Sequence, residues 1–568
     1  MNRKQRRAQA KTAITPLSVP LSAAAPPAAV QMEANRLNDQ ALRLHAAGRT
    51  AEAIPLLRQA IALNGRQPLY HNNLGELLRL SGDTDGARTS LSQAIALAPN
   101  YPEAHNNYGN LMGQVGDLDA AIKAYETAIG LKPDYAEAMN NLGTVLINRR
   151  DHTGAAAILR RAIALNPGIG MFHKNLALAL TALGDVEGAE AAFKATFEAP
   201  VKLPGDNVEL MMALGDVQRF KGDIEAALGW YHRAWQTRPG DGEAHMRYAV
   251  ALMVKGEYRE AWPHFAARWS LADTEVDKRP FTQPFWRGEP LPAGGKMLLF
   301  TEQGVGESLV LWSLMPELQQ RGILPVVECD PRMVPILQRS FPGIEAYART
   351  NPPHARLREP DLVVQATLFD LAQVFRQSPA DCTGALPLRA DIDRAEALRV
   401  RYRNGGDTPL VGIAWHSANP KLGAPKSARL VDFAPFLSLP GYRFVDLQYG
   451  NRTADRDALK AACGAELLID PEIDQLKDLD GFAAQVAAMD LVITTSNTTA
   501  HMAAALGKPT WVLLHKGISP HWYWGLAGEQ TPWYPTARLW RQPAANDWHG
   551  LAESVAAELK RTLPSATS

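Results

Sequence analysis

The sequence predicts a protein of class α plus α/β: an α-helical solenoid followed by a module of two parallel-sheet halves. Three observations predict it. Small residues and prolines recur every 34 residues between about 35 and 269. From Lys296 onward, short apolar runs alternate with helical segments, the pattern of parallel sheets. That alternation restarts at Pro409, which divides the second part in two. Length agrees, because 568 residues exceed what one hydrophobic core sustains.

Composition sets the outer limits. Apolar residues make up 46% and charged residues 21%, as in a water-soluble globular protein. Fifty-nine basic residues balance fifty-nine acidic ones, so bulk charge argues for neither a nucleic-acid partner nor a membrane surface. No apolar run approaches the ~20 residues that span a bilayer, so no stable membrane insertion is expected. The basic start lacks the apolar core of a secretory signal. Cys329, Cys382 and Cys463 lie far apart, without metal-ligand spacing, and read as buried thiols of a reducing compartment. These points together predict a cytoplasmic chain with no metal site.

Residues 1–33 open with MNRKQRRAQAK and continue through Pro- and Ala-rich sequence, which reads as a disordered, solvated tail. Residues 34–270 carry the repeat. Pro99, Pro133 and Pro167 share the 34-residue period, as do Gly75, Gly109 and Gly143, and Ala53, Ala87, Ala121, Ala155 and Ala189. Each unit has an Asn-Leu-Gly-like helix, a Gly-Asp turn and an Ala-rich second helix. This pattern resembles the tetratricopeptide repeat, in about seven copies, with four extra residues near 200–206 shifting the frame. One helix pair cannot bury its apolar face alone, so the units must stack into a superhelix with a groove.

Asn73, Asn107, Asn141 and Asn175 also recur at this period, at the sixth position of the first helix. That position faces the groove in the repeat family. In O-linked N-acetylglucosamine transferases, which carry similar repeats, such a ladder holds an acceptor peptide by its backbone. An amide offers donors and acceptors together, which suits that task. Asparagine is equally a frequent residue at this repeat position, and both readings stand at this point.

Residues 271–295, rich in Pro, Gly and aromatics, read as a connector. A first sheet half follows over 296–406, with strands at 297–300, 324–328 and 363–366 and a helix over 307–321. The second half, 407–568, has strands at 409–415, 444–448, 467–469, 491–494 and 510–514. Its last helix, near 549–562, is expected to cross back onto the first half.

The chemistry concentrates at 490–515, DLVITTSNTTAHMAAALGKPTWVLLH, which reads as strand, capped helix, Gly-Lys-Pro turn and strand. Ser496-Asn497-Thr498-Thr499 would cap the helix and leave its first N–H groups free as a seat for phosphate. The segment resembles the donor motif of heptosyltransferase-like glycosyltransferases: Thr499-Ala500-His501 and Leu506-Gly507-Lys508-Pro509 stand in matching places. Ser496 replaces the family's aspartate and Asn497 its threonine. Thr301-Glu302-Gln303-Gly304-Val305-Gly306-Glu307 resembles that family's E-Q-G-x-G-D loop, and GIAWHSANPKLGAPKS at 412–427 its G-x-A-W-x-G-N-P segment.

What the resemblance implies is a GT-B module of two Rossmann-like domains, acceptor side first and nucleotide side second. Glu307 would be the base for the acceptor hydroxyl, with Glu302 the second choice. Lys426, Ser427, Gln448, Ser496, Asn497, Thr498, Thr499 and His501 would bind the donor, the cation and helix start bracketing its phosphates. Lys421 on the same loop reads as a solvated lysine. The aromatic stretches at 521–524 and 533–535 would either floor a sugar or pack beneath a lid. No cofactor is implied beyond the nucleotide-sugar co-substrate, and the reaction would be metal-independent.

The function expected is therefore transfer of a sugar from a nucleotide to a Ser/Thr hydroxyl of a protein acceptor in the repeat groove. Bacterial enzymes of this layout resemble those that modify flagellin or other surface proteins. A transferase of lipopolysaccharide or another glycan is one alternative. A repeat scaffold with a degenerate sugar-binding module is another.

Overall fold

The computed structural model describes residues 26–563, apart from 202, 204, 272–277, 303, 383, 385–387, 419–425, 517–521 and 545. Lys421 and His521 therefore lie outside the described residues, as do residues 1–25 of the expected tail. The chain divides into two compact units, one ending at Gly205 and the other beginning at Asp206.

The first unit is five helix pairs: α1 (Ala28–Ala46) with α2 (Thr50–Leu63), α3 (Pro68–Leu80) with α4 (Thr84–Leu97), α5 (Pro102–Gln114) with α6 (Leu118–Leu131), α7 (Ala136–Asn148) with α8 (His152–Leu165), and α9 (Gly170–Leu183) with α10 (Val186–Glu198). Residues 28–33, expected in the tail, are helical instead. The recurring Gly-Asp turn has a local cause. The side chains of Asp83, Asp117, Asp151 and Asp185 cap the second helices by accepting from Gly86, Ala120, Gly154 and Gly188 N–H.

The recurring glycine has a packing cause. A Cβ at Gly75, Gly109 or Gly143 would lie 2.5, 2.7 or 2.6 Å from Leu91, Tyr125 or Leu159 on the paired helix. Ala53, Ala87, Ala121, Ala155 and Ala189 are fully buried on the second helices. The 34-residue period is thus the period of close helix crossing.

The second unit opens with two more pairs, α11 (Val208–Lys221) with α12 (Ile224–Thr237) and α13 (Gly242–Lys255) with α14 (Tyr258–Phe265). Strand β1 (Lys296–Phe300), β2 (Val326–Cys329), β3 (Glu345–Ala348) and β4 (Leu362–Thr367) form a sheet of order β3-β2-β1-β4. Strands β5 (Leu410–Ala414), β6 (Arg443–Asp446), β7 (Leu491–Thr495), β8 (Thr510–Leu514) and β9 (Ala537–Arg541) form a second, of order β6-β5-β7-β8-β9. Every pairing in both sheets is parallel.

Helix α15 (Val305–Leu311) follows β1, α16 (Leu368–Phe375) follows β4, and α17 (Ile392–Arg403) leads into the second sheet. There α18 (Leu479–Ala487) precedes β7, α19 (Thr498–Ala505) follows it, and α20 (Trp548–Thr562) comes last.

Several expectations need correction. The helix read over 307–321 is broken into α15, a 3-10 turn at Trp312–Leu314 and a short helix at Met315–Gln320. Leu467, Leu468 and Ile469 form no strand but a single bridge from Leu468 to Val445. Strands β3 and β9 went unread. Helix α20 stays on its own sheet, where Leu551, Val555 and Leu559 share a core with Val411, Ile493 and Phe436. Of the three cysteines, only Cys329 is buried.

The connector is structural. Gln365 of β4 donates its N–H to Pro284 O at 2.9 Å and accepts Trp286 N–H at 2.8 Å. The chain at 284–286 therefore covers the exposed edge of β4.

The two last helix pairs and both sheets share one hydrophobic cluster. Tyr258, Trp262 and Phe265 of α14 belong to it with Trp312, Phe369, Val492, Trp522 and Trp533. Trp262 Nε1 donates to Arg376 O at 2.6 Å, and Trp533 Nε1 to Tyr258 Oη at 3.1 Å. This core does not divide at 270/271, where composition places the end of the repeats.

A fragment of 206–568 should accordingly unfold in one cooperative transition. A fragment of 272–568 loses Tyr258, Trp262, Phe265 and Arg268, with large apolar deletions worth ~3–5 kcal/mol each, and should not fold. Near-ultraviolet circular dichroism of the two fragments checks this; a native-like spectrum from 272–568 refutes it.

Candidate functional site

The site lies where two sheet halves bring strand ends together. Strand order reverses between β1 and β4 in one sheet and between β5 and β7 in the other, and such crevices at carboxyl ends are where α/β sheets receive ligands. Helices α15 and α19 start at the ends of β1 and β7, and their first turns face each other. A Cβ on Gly306 would lie 3.5 Å from both Thr498 Oγ1 and His501 Cδ2.

Glu307, Lys426 and His501 come together at this seam. Burial lowers the Lys426 ammonium to about 8, with the Glu307 carboxylate opposing the shift. Burial, then the Lys426 charge, lowers the His501 imidazole to about 3, so the ring is neutral near pH 7. Lys426 is 7% exposed and His501 3%, whereas Glu307 and Thr498 are half-buried.

The His501 ring stacks on Trp524 with centroids 5.0 Å apart, and Tyr523 meets it edge-on at 4.7 Å. Its Nδ1 lies 3.2 Å from Tyr534 Oη. In the tautomer where Nδ1 accepts from that hydroxyl, Nε2–H is left as the donor. Trp522, Tyr523, Trp524, Trp533 and Tyr534 are all buried, so these aromatics form packing around His501 and under α14, not an open floor for a sugar.

Other expected donor residues have internal duties. Asn497 caps α19, its Oδ1 accepting from Thr499 N at 2.9 Å and Ala500 N at 3.3 Å. The helix start expected to be open is therefore occupied, and a phosphate would compete with Asn497 for those two groups. Ser496 Oγ accepts from Trp524 Nε1 at 2.9 Å. Gln448 Oε1 accepts from Trp415 N and His416 N at 2.9 and 2.8 Å, while its Nε2 donates to His416 O and Tyr449 O. Ser427 Oγ accepts from Ser417 N at 3.0 Å. Thr499 Oγ1 is fully buried without a hydrogen-bond partner among the described residues.

Glu302 is also committed. Both of its oxygens accept from Arg268, Oε2 from Nε at 2.8 Å and Oε1 from Nη2 at 3.0 Å, and the pair is buried. Burial raises the Glu302 carboxyl and Arg268 pulls it back. Both Glu302 oxygens are taken up by Arg268, whereas Glu307 stands at the seam beside Lys426. Two concavities, of about 540 Å³ around Glu529 and Arg538 and about 400 Å³ around His232 and Tyr248, lie away from these residues.

In the first unit, each of the four asparagines is tied to the preceding repeat. Asn73 Nδ2 donates to Asn38 Oδ1 at 2.8 Å, Asn107 to Asn72 at 2.9 Å, Asn141 to Asn106 at 3.1 Å and Asn175 to Asn140 at 2.8 Å. Asn72 and Asn106 pass the chain on to Asn73 and Asn107 within their own helices, at 3.4 and 3.3 Å. The ladder thus joins repeat to repeat, with Asn141 and Asn175 also donating to Asn110 and Thr144. Sequence reading saw one asparagine column and missed its partners at 38, 72, 106 and 140, which share the same period.

Comparisons with known proteins bear first on the helical part. A family model described as tetratricopeptide repeat matches residues 109–169, 158–201 and 174–241, and a TPR repeat model matches 75–116. Residues 75–241 are tetratricopeptide repeats. The chain is also 31% identical over 360 residues to Protein FlbA of Caulobacter vibrioides, a match covering 60% of this chain and 59% of that protein. It therefore spans less than two thirds of that relative. Among solved structures it is similar to PilF of Pseudomonas aeruginosa (17% identity, TM-score 0.35, 39% of this chain and 96% of that one). It is likewise similar to PilW, a type IV pilus biogenesis factor (20% identity, TM-score 0.35, 37% and 96%). No helix among the described residues is long and apolar enough to cross a membrane.

Asn107→Ala or Asn141→Ala removes an inter-repeat hydrogen bond and should cost ~0.5–1.5 kcal/mol; a urea midpoint unchanged in both variants would refute the ladder.

For Lys426 the folded value of about 8 lies below its unfolded 10.5. Below pH 8 the charge is buried at a cost, which is relieved as pH rises from about 8 to 10.5. Lys426→Met should therefore be more stable than the wild type below pH 8, with the gap narrowing above it. Thermal melts from pH 6.5 to 10 read this directly, and a Met variant less stable at pH 7 would overturn it.

Proposed function

We propose that the chain is a glycosyltransferase with a GT-B-type module, moving a sugar from a nucleotide donor to a Ser/Thr hydroxyl of a protein held by its repeats. The observation that supports this reading is the meeting of Glu307, Lys426 and neutral His501 where the first turns of α15 and α19 face across two parallel sheets. The acceptor oxygen bonds to the anomeric carbon as that carbon's bond to the donor phosphate breaks. The hydroxyl proton passes to Glu307, and the electron pair leaves with the phosphate, whose charge Lys426 neutralises. His501, kept neutral, donates a hydrogen bond without adding charge. A surface protein such as a flagellin is an acceptor of the right class, and the cytoplasm is the compartment where nucleotide-sugars are met.

A second reading has its own support. Asn497 fills the helix start, and Ser496 and Gln448 are engaged internally, as in a scaffold whose sugar site has fallen out of use. Glu307→Gln separates the two. It keeps size and helix start, so turnover of nucleotide-sugar with a protein acceptor should fall ~10²–10⁴-fold while nucleotide binding persists. Wild-type protein that neither binds a nucleotide-sugar in calorimetry nor turns one over sinks the enzyme reading and leaves the scaffold.

A further inference from the structure

Arg268 reaches beyond the helix pair that carries it. It lies just past α14, in the 3-10 turn Ala266–Ser270, and is 4% exposed. Its guanidinium reaches the carboxyl ends of two strands. It grips both oxygens of Glu302 after β1, and its Nη2 lies 3.4 Å from Thr367 Oγ1 and 3.9 Å from Asp370 at the end of β4. Thr367 and Asp370 form the capping box that starts α16. The last helix pair therefore inserts a cation into the β1/β4 crevice.

Glu302 is five residues before Glu307 on the loop that leads into α15. Arg349 Nη1 donates to Thr301 O at 3.0 Å on one side of Glu302, and α15 begins at Val305 on the other. Glu302 makes its bidentate bond to Arg268, with Thr367 beside the pair. Gly306 lies against Thr498 and His501, and Glu307 beside it faces the Lys426 charge, so any shift of the held Glu302 carboxylate would be passed along this short loop to that turn.

We propose that Arg268 is a positioning residue of the transfer reaction, by which the last repeat sets the loop that carries Glu307. This rests on the glycosyltransferase reading. It makes α14 and its following turn part of the active module and gives the end of the repeat array a direct mechanical hold on the acceptor side. A bidentate fork is required for this, since one ammonium cannot fix both carboxylate oxygens in a plane.

The test uses the full chain. Arg268→Met alone leaves a buried carboxylate unpaired and risks unfolding, so the informative variant is Arg268→Met with Glu302→Met, an apolar pair in place of the ions. The double variant should keep its thermal midpoint within a few degrees and its nucleotide affinity within about twofold. Amide exchange over 305–308 should quicken at least tenfold, and kcat should fall at least tenfold with the donor KM nearly unchanged. Arg268→Lys should restore the midpoint but not kcat. Unchanged exchange over 305–308, or an undiminished kcat in a folded double variant, overturns the proposal. Wild-type protein without any transfer activity fails the glycosyltransferase reading instead, and the exchange result then reports only how the loop is held.

Discussion

One buried ion pair ties the last helix pair of the second unit to its first sheet. Arg268 and Glu302 are both nearly sealed from water, and moving two such charges inward costs several kcal/mol apiece before any attraction is counted. The pair is tolerable because it is saturated: two parallel N–H···O bonds, a Phe265 carbonyl within 3.4 Å, and Thr367 beside it. Aromatic faces of Phe265, Trp269 and Phe369 lie 5.1, 4.8 and 5.8 Å from the guanidinium, a setting that suits a delocalised, weakly hydrated cation. Removing either partner would strand the other. The last helix pair is consequently bound to the first sheet by electrostatics as well as by Trp262 and Phe265. A similar fork recurs where Arg279 meets Glu328 of β2, so the segment after the repeats is pinned to two neighbouring strands.

The repeats of the first unit solve the opposite problem. A superhelix of amphipathic pairs has little to specify register between one pair and the next, because apolar stripes slide at small cost. The asparagine ladder supplies register. Each amide satisfies a donor on an acceptor one repeat away, and a slip of one residue would leave a row of buried amides unpaired. Asn72, Asn106, Asn140 and Asn175 are each under a tenth exposed, so the penalty applies in full. This role and peptide binding are not exclusive, since an Asn oxygen accepts twice, but the first claim on each Nδ2 is structural.

What was legible in the sequence was whatever is local or periodic. The 34-residue spacing exposed the pairs because Gly75, Gly109 and Gly143 must be small where Leu91, Tyr125 and Leu159 approach, and that constraint repeats. The β-branched runs at β5, β7 and β8 announced central strands. Strands β3 and β9 did not, because edge strands carry polar and charged residues such as Glu345, Arg538 and Arg541 and so lose the apolar signal. The aromatic packing around His501, the use of Gln448 to tie β5 to β6, and the reach of Arg268 to Glu302 all join residues far apart in sequence. Nothing local marks them. Asn497 was read correctly as a cap and wrongly as one that leaves its helix start open, since one side-chain oxygen serves two N–H groups at once.

The seam between α15 and α19 sets its own terms for any ligand. Lys426 is held nearly out of water, away from its ordinary proton affinity, with Glu307 as the charge that partly stabilises it. An anion arriving there would replace the lost hydration and raise the proton affinity of Lys426, so binding and protonation reinforce each other. It would also have to displace Asn497 from two N–H groups, or leave it in place and use Lys426, Thr498 and His501 alone. The second course asks less of the fold, because Asn497 also accepts from Thr494 Oγ1 and holds β7 to its turn. An anion that sits on one lysine, one hydroxyl and one neutral imidazole is bound by geometry more than by charge. On the transferase reading, such a site would depend on the placing of Glu307, and hence of the loop behind it, as well as on its phosphate contacts.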